Sequence, residues 1–204
     1  MTLLIISLNV LVFLYELSLG NGYRLNHFIE LYGIVPDRLS VASIFTSMFI
    51  HGGFLHILGN MWFLWVFGRG VEDMLGHAKY LLFYLLCGVA SAITHILLNA
   101  GSTVPTVGAS GAIAGVMGAY LITFPRARVV TLVLLFIFIT TVDIPAAFLL
   151  LYWFAIQFFN GVGSVGYSQA SRGDVAWFAH VGGFIAGIVL VKVMAPSRRI
   201  RSYY

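Results

Sequence analysis

Four polar side chains stand in apolar surroundings, and their types suit acyl-transfer chemistry. Ser110 opens a glycine-rich run, Gly108-Ala-Ser110-Gly111-Ala-Ile-Ala-Gly115. His180 lies in Ala179-His180-Val-Gly-Gly183-Phe-Ile-Ala-Gly187. His56 and Asn60 are four residues apart, so one helix face carries both. A histidine within about 2.6–3.2 Å of a serine hydroxyl takes its proton and turns the oxygen into a nucleophile toward a peptide carbonyl. Donors must then meet the oxyanion that develops. The side chains of His56 and Asn60, with the backbone N–H of Ser110 at a helix start, are the candidates. No carboxylate is placed to complete a triad, so Ser110 and His180 would work as a dyad. Gly111 with Gly115, and Gly183 with Gly187, form small-xxx-small pairs that let two helix backbones approach closely.

The elements that must position these groups are membrane helices. Of the 204 residues, 60% are hydrophobic and 9% charged, and the mean hydropathy is +0.98. Soluble domains carry about 25% charged residues, so this surface cannot face water throughout. An ordinary soluble domain, a disordered chain and a disulfide-rich module are excluded, the last also by the single cysteine, Cys87. The expected fold is an all-α polytopic membrane protein, a single domain over 1–204. Its six spans are predicted at about 2–19, 53–68, 80–98, 109–124, 146–160 and 175–194. The first is read as a retained span, because it lacks the basic start and cleavage site of a signal peptide. Residues 129–142 are apolar and β-branched. They read as an interfacial or partly extended segment leading into the fifth span, with a span of their own as the competing reading.

Charge placement favours six spans with both termini in the cytoplasm. The inner loops and tail then hold Arg69, Lys79, Arg126, Arg128, Lys192, Arg198, Arg199 and Arg201, against Arg24, Arg38 and Arg172 outside. A seventh span would put the basic C-terminus outside. In the six-span arrangement spans 2, 4 and 6 run the same way, from outside to inside. Ser110 then lies one or two residues into span 4, His180 about 7.5 Å deep in span 6 and His56 at a similar depth, so that with Asn60 they can meet at one level below the outer surface. The expected site is a polar cavity open to the outer side, beside the glycine-rich loop 160–173.

Taken singly, each residue has a plainer reading. Ser110 reads as a packing serine and His180 as an interhelical donor; together with His56 and Asn60 they do not. His51, off the face of His56, reads as a structural hydrogen-bonding group. Glu16 reads as a snorkelling or loop-pairing acid, and His95 and His27 as surface or interfacial. A transporter would show paired repeats or broken helices in both halves, and a zinc protease H-E-x-x-H; neither pattern occurs in the chain.

The chain resembles the rhomboid family of intramembrane serine proteases. The resemblance rests on His51-x4-His56-x3-Asn60, Gly108-Ala-Ser110-Gly111 and Ala179-His180-x2-Gly183-x3-Gly187, in that order and covering essentially all six spans. It implies a six-helix rhomboid bundle with Ser110 as nucleophile and His180 as general base. His56, Asn60 and the Ser110 N–H would stabilise the oxyanion. Gly108, Gly111, Gly115, Gly183, Gly187, His51 and Glu72 would be supporting residues. Glu72, in Arg69-Gly-Val-Glu72, matches a loop glutamate of the family, with a hydrogen-bonding role in the inner loop. The resemblance implies transmembrane protein substrates in a lipid bilayer, cut in or near a membrane segment. It implies no metal, no cofactor and no nucleic-acid partner, and it carries no signal for an oligomeric state. The short loops suggest a prokaryotic inner or plasma membrane. Three positions depart from the family. Ala42 and Ser43 stand where many relatives carry Trp-Arg, and Ala114 stands where some place an aromatic against the base. Either another aromatic, with Trp177 the expected one, supports His180, or the base is held more loosely. An inactive rhomboid-like protein that binds membrane clients is the alternative; such proteins usually lack the serine or the histidine.

Overall fold

A computed structural model describes residues 1–135, 138–164 and 176–195. Arg172, Asp174, the basic tail from Arg198 and most of the loop 160–173 lie outside the described residues. The described chain is mostly helical: α1 (Thr2–Ser18), α2 (Tyr23–Tyr32), α3 (Val41–Thr46), α4 (Phe54–Leu75), α5 (His77–Leu98), α6 (Ser110–Thr123), α7 (Ala146–Ser164) and α8 (Trp177–Met194). Three of these, α5, α7 and α8, are long and apolar enough to cross a bilayer. A fourth crossing is possible if Val41–Phe49 and α4, which meet at 88°, act as one bent unit. The helices α1 and α6 are apolar but shorter.

The core forms around α6, which packs against α4, α5, α7 and α8. Ten of its fourteen residues are buried. Seven of the ten are Gly, Ala or Val, so neighbours can close on α6 from several sides. On the α5 side the buried Cys87 faces Gly115, and Ser91 faces Gly111. Tyr80, Phe83, Tyr84, Phe67 and Met74 fill the space between α4, α5 and α6.

The α4–α5 junction follows from two residues. Gly76 adopts φ +80°, a left-handed conformation that costs glycine little. It donates to the Glu72 carbonyl (2.7 Å), closing α4, and accepts from Tyr80 N–H (2.9 Å), opening α5. The buried Glu72 carboxylate accepts from the Thr2 N–H at 2.7 Å and meets His77 Nδ1 at 2.5 Å. Glu72 thus joins the start of α1 to the α4–α5 corner.

One region departs from an all-α fold. Two strands, β1 (Arg128–Leu135) and β2 (Phe138–Pro145), pair antiparallel in register Arg128↔Pro145 to Leu135↔Phe138. Residues 129–135 and 138–142 are therefore extended rather than a helical span. The physical reason is the β-branched content of both strands, with Val129 opposite Ile144, Thr131 opposite Val142 and Val133 opposite Thr140. The strand pair is rooted where Ala146 N–H meets the Ala127 carbonyl (2.7 Å) and Ala147 N–H the Pro125 carbonyl (3.1 Å). The segment between α1 and α4 also departs from a plain loop, since it contains α2, α3 and two short 3-10 turns.

Candidate active site

Ser110 is the first residue of α6 and His180 lies in the first turn of α8. Their separation is set by backbone against backbone. A Cβ at Gly183 would overlap the Gly111 carbonyl oxygen, and one at Gly187 the Gly115 carbonyl oxygen. The pairs 111/183 and 115/187 advance together, so the helices run parallel, with Ser110 and His180 at the same end. There Ser110 Oγ lies 2.7 Å from His180 Nε2.

The other side of the histidine ring is held by a residue that sequence reasoning missed. His180 Nδ1 lies 2.7 Å from Gln157 Oε1 on α7, and Gln157 is only 6% exposed. Trp153, one turn earlier on α7, places its ring centroid 5.8 Å from that of His180, at 41°. The expected aromatic support, Trp177, is not the ring that meets His180: Trp177 begins α8 and lines the cavity, while Trp153 meets the imidazole. Ala114 is fully buried in the core. A signal for Gln157 was present. It is the one side-chain amide in Ala146–Phe159, an otherwise apolar run, and polar groups in such runs are seldom idle.

The opposite wall comes from α4. His56 Nδ1 accepts from the Gly52 N–H at 3.3 Å, which leaves the ring proton on Nε2. Gly108 has φ +131°, and a Cβ there would stand 2.9 Å from His56 Nε2 and 3.6 Å from Ser110 Oγ. The missing side chain therefore lets the His56 ring come up beside the serine. Asn60 is buried and donates one amide N–H to the His56 carbonyl at 3.0 Å; the same nitrogen carries a second N–H.

His51 stands behind His56. It is 2% exposed, and its ring meets that of His56 edge-on at 5.2 Å. Its backbone N–H donates to the buried Glu16 carboxylate at 3.1 and 3.3 Å. Glu16 thus fixes the turn into α4 from α1.

The loop before Ser110 is also tied down. Thr106 exchanges backbone hydrogen bonds with Ile34 (2.8 and 2.9 Å), and Gly108 N–H donates to the Ser47 carbonyl at 2.9 Å. His95 is buried rather than surface or interfacial, because this loop folds back over it. Asn99 donates to its Nδ1 at 3.3 Å, so Nε2–H faces Thr106 Oγ1 at 2.9 Å. His27 is exposed and stacks on Tyr23.

Ser110, His180, His56, Asn60 and Gln157 line one cavity of about 930 Å³. Among the described residues no group of three or more His, Cys, Asp or Glu side chains converges as a metal site would. The arrangement offers a hydroxyl bonded to an imidazole, with a second imidazole N–H and an amide across from it.

Comparison with known proteins places the chain in a family. Residues 38–197 match the Rhomboid domain family. The chain is 31% identical over 154 residues to Rhomboid protein 1, mitochondrial, of Saccharomyces cerevisiae, covering 74% of this chain and 41% of that protein. It is 32% identical over 124 residues to Rhomboid protease GluP of Bacillus subtilis (59% and 24%). It is 31% identical over 162 residues to RHOMBOID-like protein 6, mitochondrial, of Arabidopsis thaliana (76% and 44%). The chain thus spans less than half the length of each of these relatives. With the family match running through most of the sequence and across every element of the site, the chain belongs to the rhomboid family.

Proposed function

We propose that this chain is an intramembrane serine endopeptidase that hydrolyses peptide bonds in or near the transmembrane segments of membrane-protein substrates. The observation that carries the reading is the 2.7 Å contact between Ser110 Oγ and His180 Nε2. His180 takes the hydroxyl proton as Ser110 Oγ attacks the carbonyl carbon. His56 Nε2–H, the second N–H of Asn60 and the Ser110 backbone N–H receive the oxyanion. The intermediate collapses as His180 gives its proton to the leaving amine. Water, deprotonated by the same histidine, then releases the acyl group from the serine.

The membrane reading supports the chemistry. Six spans with both termini in the cytoplasm give α4, α6 and α8 one direction. A fourteen-residue α6 is about 21 Å long, short of the roughly 30 Å hydrocarbon core. Its first residue, Ser110, would sit below the outer surface at the floor of a cavity open to that side, where water can reach it. Rhomboid protease GluP is, by its name, a protease. The relatives include mitochondrial and bacterial proteins, so the expectation of a prokaryotic plasma membrane gains no support from them.

The test is cleavage of a tagged single-span substrate in proteoliposomes, with labelling of Ser110 by a fluorophosphonate alongside. Cleavage and labelling by the wild type that both vanish in Ser110→Ala are expected. Equal cleavage by both proteins would remove Ser110 as nucleophile. A wild type that neither cleaves nor labels would favour client binding without proteolysis.

A further inference from the structure

We propose that Gln157 is the positioning residue for the base, completing a neutral Ser110–His180–Gln157 line in place of a bare dyad. The inference rests on the serine-protease reading above and deepens it.

The warrant is proton bookkeeping on one ring. A neutral imidazole carries one proton on two nitrogens. For His180 to accept the Ser110 proton, Nε2 must be bare and the proton must sit on Nδ1. Both ring nitrogens have a partner at 2.7 Å: Ser110 Oγ at Nε2 and Gln157 Oε1 at Nδ1. An amide oxygen is an acceptor only, so it holds the proton on Nδ1 and leaves Nε2 free for the hydroxyl. Turning the amide over would present its NH2 to Nδ1 and force the proton onto Nε2, where His180 could not act as base. The orientation of one amide therefore decides whether the ring is competent.

A glutamine suits the place for an electrostatic reason. Gln157 is buried, and an ion there needs a partner that is itself charged. An amide dipole orients the ring and supports the imidazolium that forms in the reaction, without a standing buried charge. The same helix also braces the ring face. Trp153 and Gln157 are four residues apart on α7, so one supports the face of His180 while the other holds its edge. With Ala114 too small to reach the base, both supports come from α7.

The experiment uses the full chain in lipid nanodiscs, as wild type, Gln157→Leu, Gln157→Glu and Ser110→Ala. The chain has six histidines, so His180 is assigned in a 15N spectrum by its loss in His180→Ala. The wild type should show His180 protonated on Nδ1. Gln157→Leu should lose that exclusive tautomer, and fluorophosphonate labelling of Ser110 should slow about 10- to 100-fold, less than removal of the base itself. Gln157→Glu, when ionised, keeps an acceptor oxygen at the same reach and should restore the Nδ1–H form and part of the labelling, less the cost of a standing buried charge. A wild-type proton on Nε2 would overturn the assignment, as would unchanged labelling in Gln157→Leu. Equal losses in both variants with the tautomer unchanged would reduce Gln157 to packing. If the wild type is not labelled at Ser110 at all, the serine-protease reading fails. The tautomer comparison still tests Gln157, because it does not depend on turnover.

Discussion

The helix α8 has two neighbours that hold it on opposite terms. Against α6 it packs backbone on backbone, with glycine carbonyls where side chains would otherwise stand. Against α7 it packs ring on ring: Phe154 meets Phe184 at 4.7 Å, Trp153 meets the same ring at 6.2 Å, and Phe178 covers Gly161. Ten of the fourteen residues of α6 are buried and none is exposed, whereas Phe148, Tyr152 and Phe159 on α7 face outward. The two contacts set different quantities. The α6–α8 seam fixes how far the backbone at Ser110 lies from the backbone at His180, and no rotamer change can alter that separation. The α7 contact fixes which way the imidazole faces, and it does so through side chains. Distance and orientation are thus built separately, and each can be disturbed without the other.

The largest effect should come from breaking the seam. In Gly187→Ala the new Cβ would overlap the Gly115 carbonyl oxygen, a backbone atom that cannot swing aside. The helices must part, and the 2.7 Å contact between serine and histidine stretches with them. Misplacement on the order of 1 Å costs about 100-fold in rate, so Ser110 labelling should fall at least that far. Overpacking should lower stability by about 1–3 kcal/mol. Rates of labelling and a thermal melt in detergent would check both. A wild-type rate in Gly187→Ala would mean that something other than the seam sets the distance.

A smaller effect should follow from loosening the α7 side. Trp153→Leu removes the ring that meets His180 but leaves the glycine seam and the Gln157 contact in place. Aromatic contacts of this kind are worth about 0.5–1.5 kcal/mol beyond burial, which corresponds to a rate loss of roughly 2- to 12-fold. Cleavage kinetics would resolve that from the seam variant. A loss as large as that of Gly187→Ala would show that orientation matters as much as distance, and the separation drawn above would fail.

The same contrast explains what was legible in the sequence. Ser110, His180, His56 and Asn60 could be read as a set, since each interrupts an apolar run and glycines at spacing four mark where backbones can touch. The α7 contribution was harder to see. Gln157 and His180 are 23 residues apart, and nothing local says which face of α7 turns toward α8. For that reason Trp177, close to His180 in sequence, was the natural choice over Trp153, which is close in space. His95 was misplaced because its burial depends on the loop at 102–109 folding back onto Ile34 and Ser47. The strand pair, 128–135 with 138–145, was legible only as extended character. An unbroken apolar run has no period to separate strand from helix, and the β-branched residues were the sole cue.

The smallest effect tests the comparison by reversing its sign. Gly163, near the end of α7, has open space where a Cβ would go. It lies on the helix whose outer face is free rather than in the seam. Gly163→Ala should therefore remove backbone freedom from the unfolded chain without meeting a neighbour. The gain should be up to about 1 kcal/mol, less if the helix end frays. Cleavage should stay within about twofold of wild type, because an effect of a few tenths of a kcal/mol on the barrier moves the rate no further. One added methyl should thus destabilise at Gly187 and stabilise at Gly163, and melting the two variants side by side reads both signs. Destabilisation at Gly163 as well would mean that α7 is held as tightly as α6. The position of the histidine ring would then be as rigidly built as the distance to the serine.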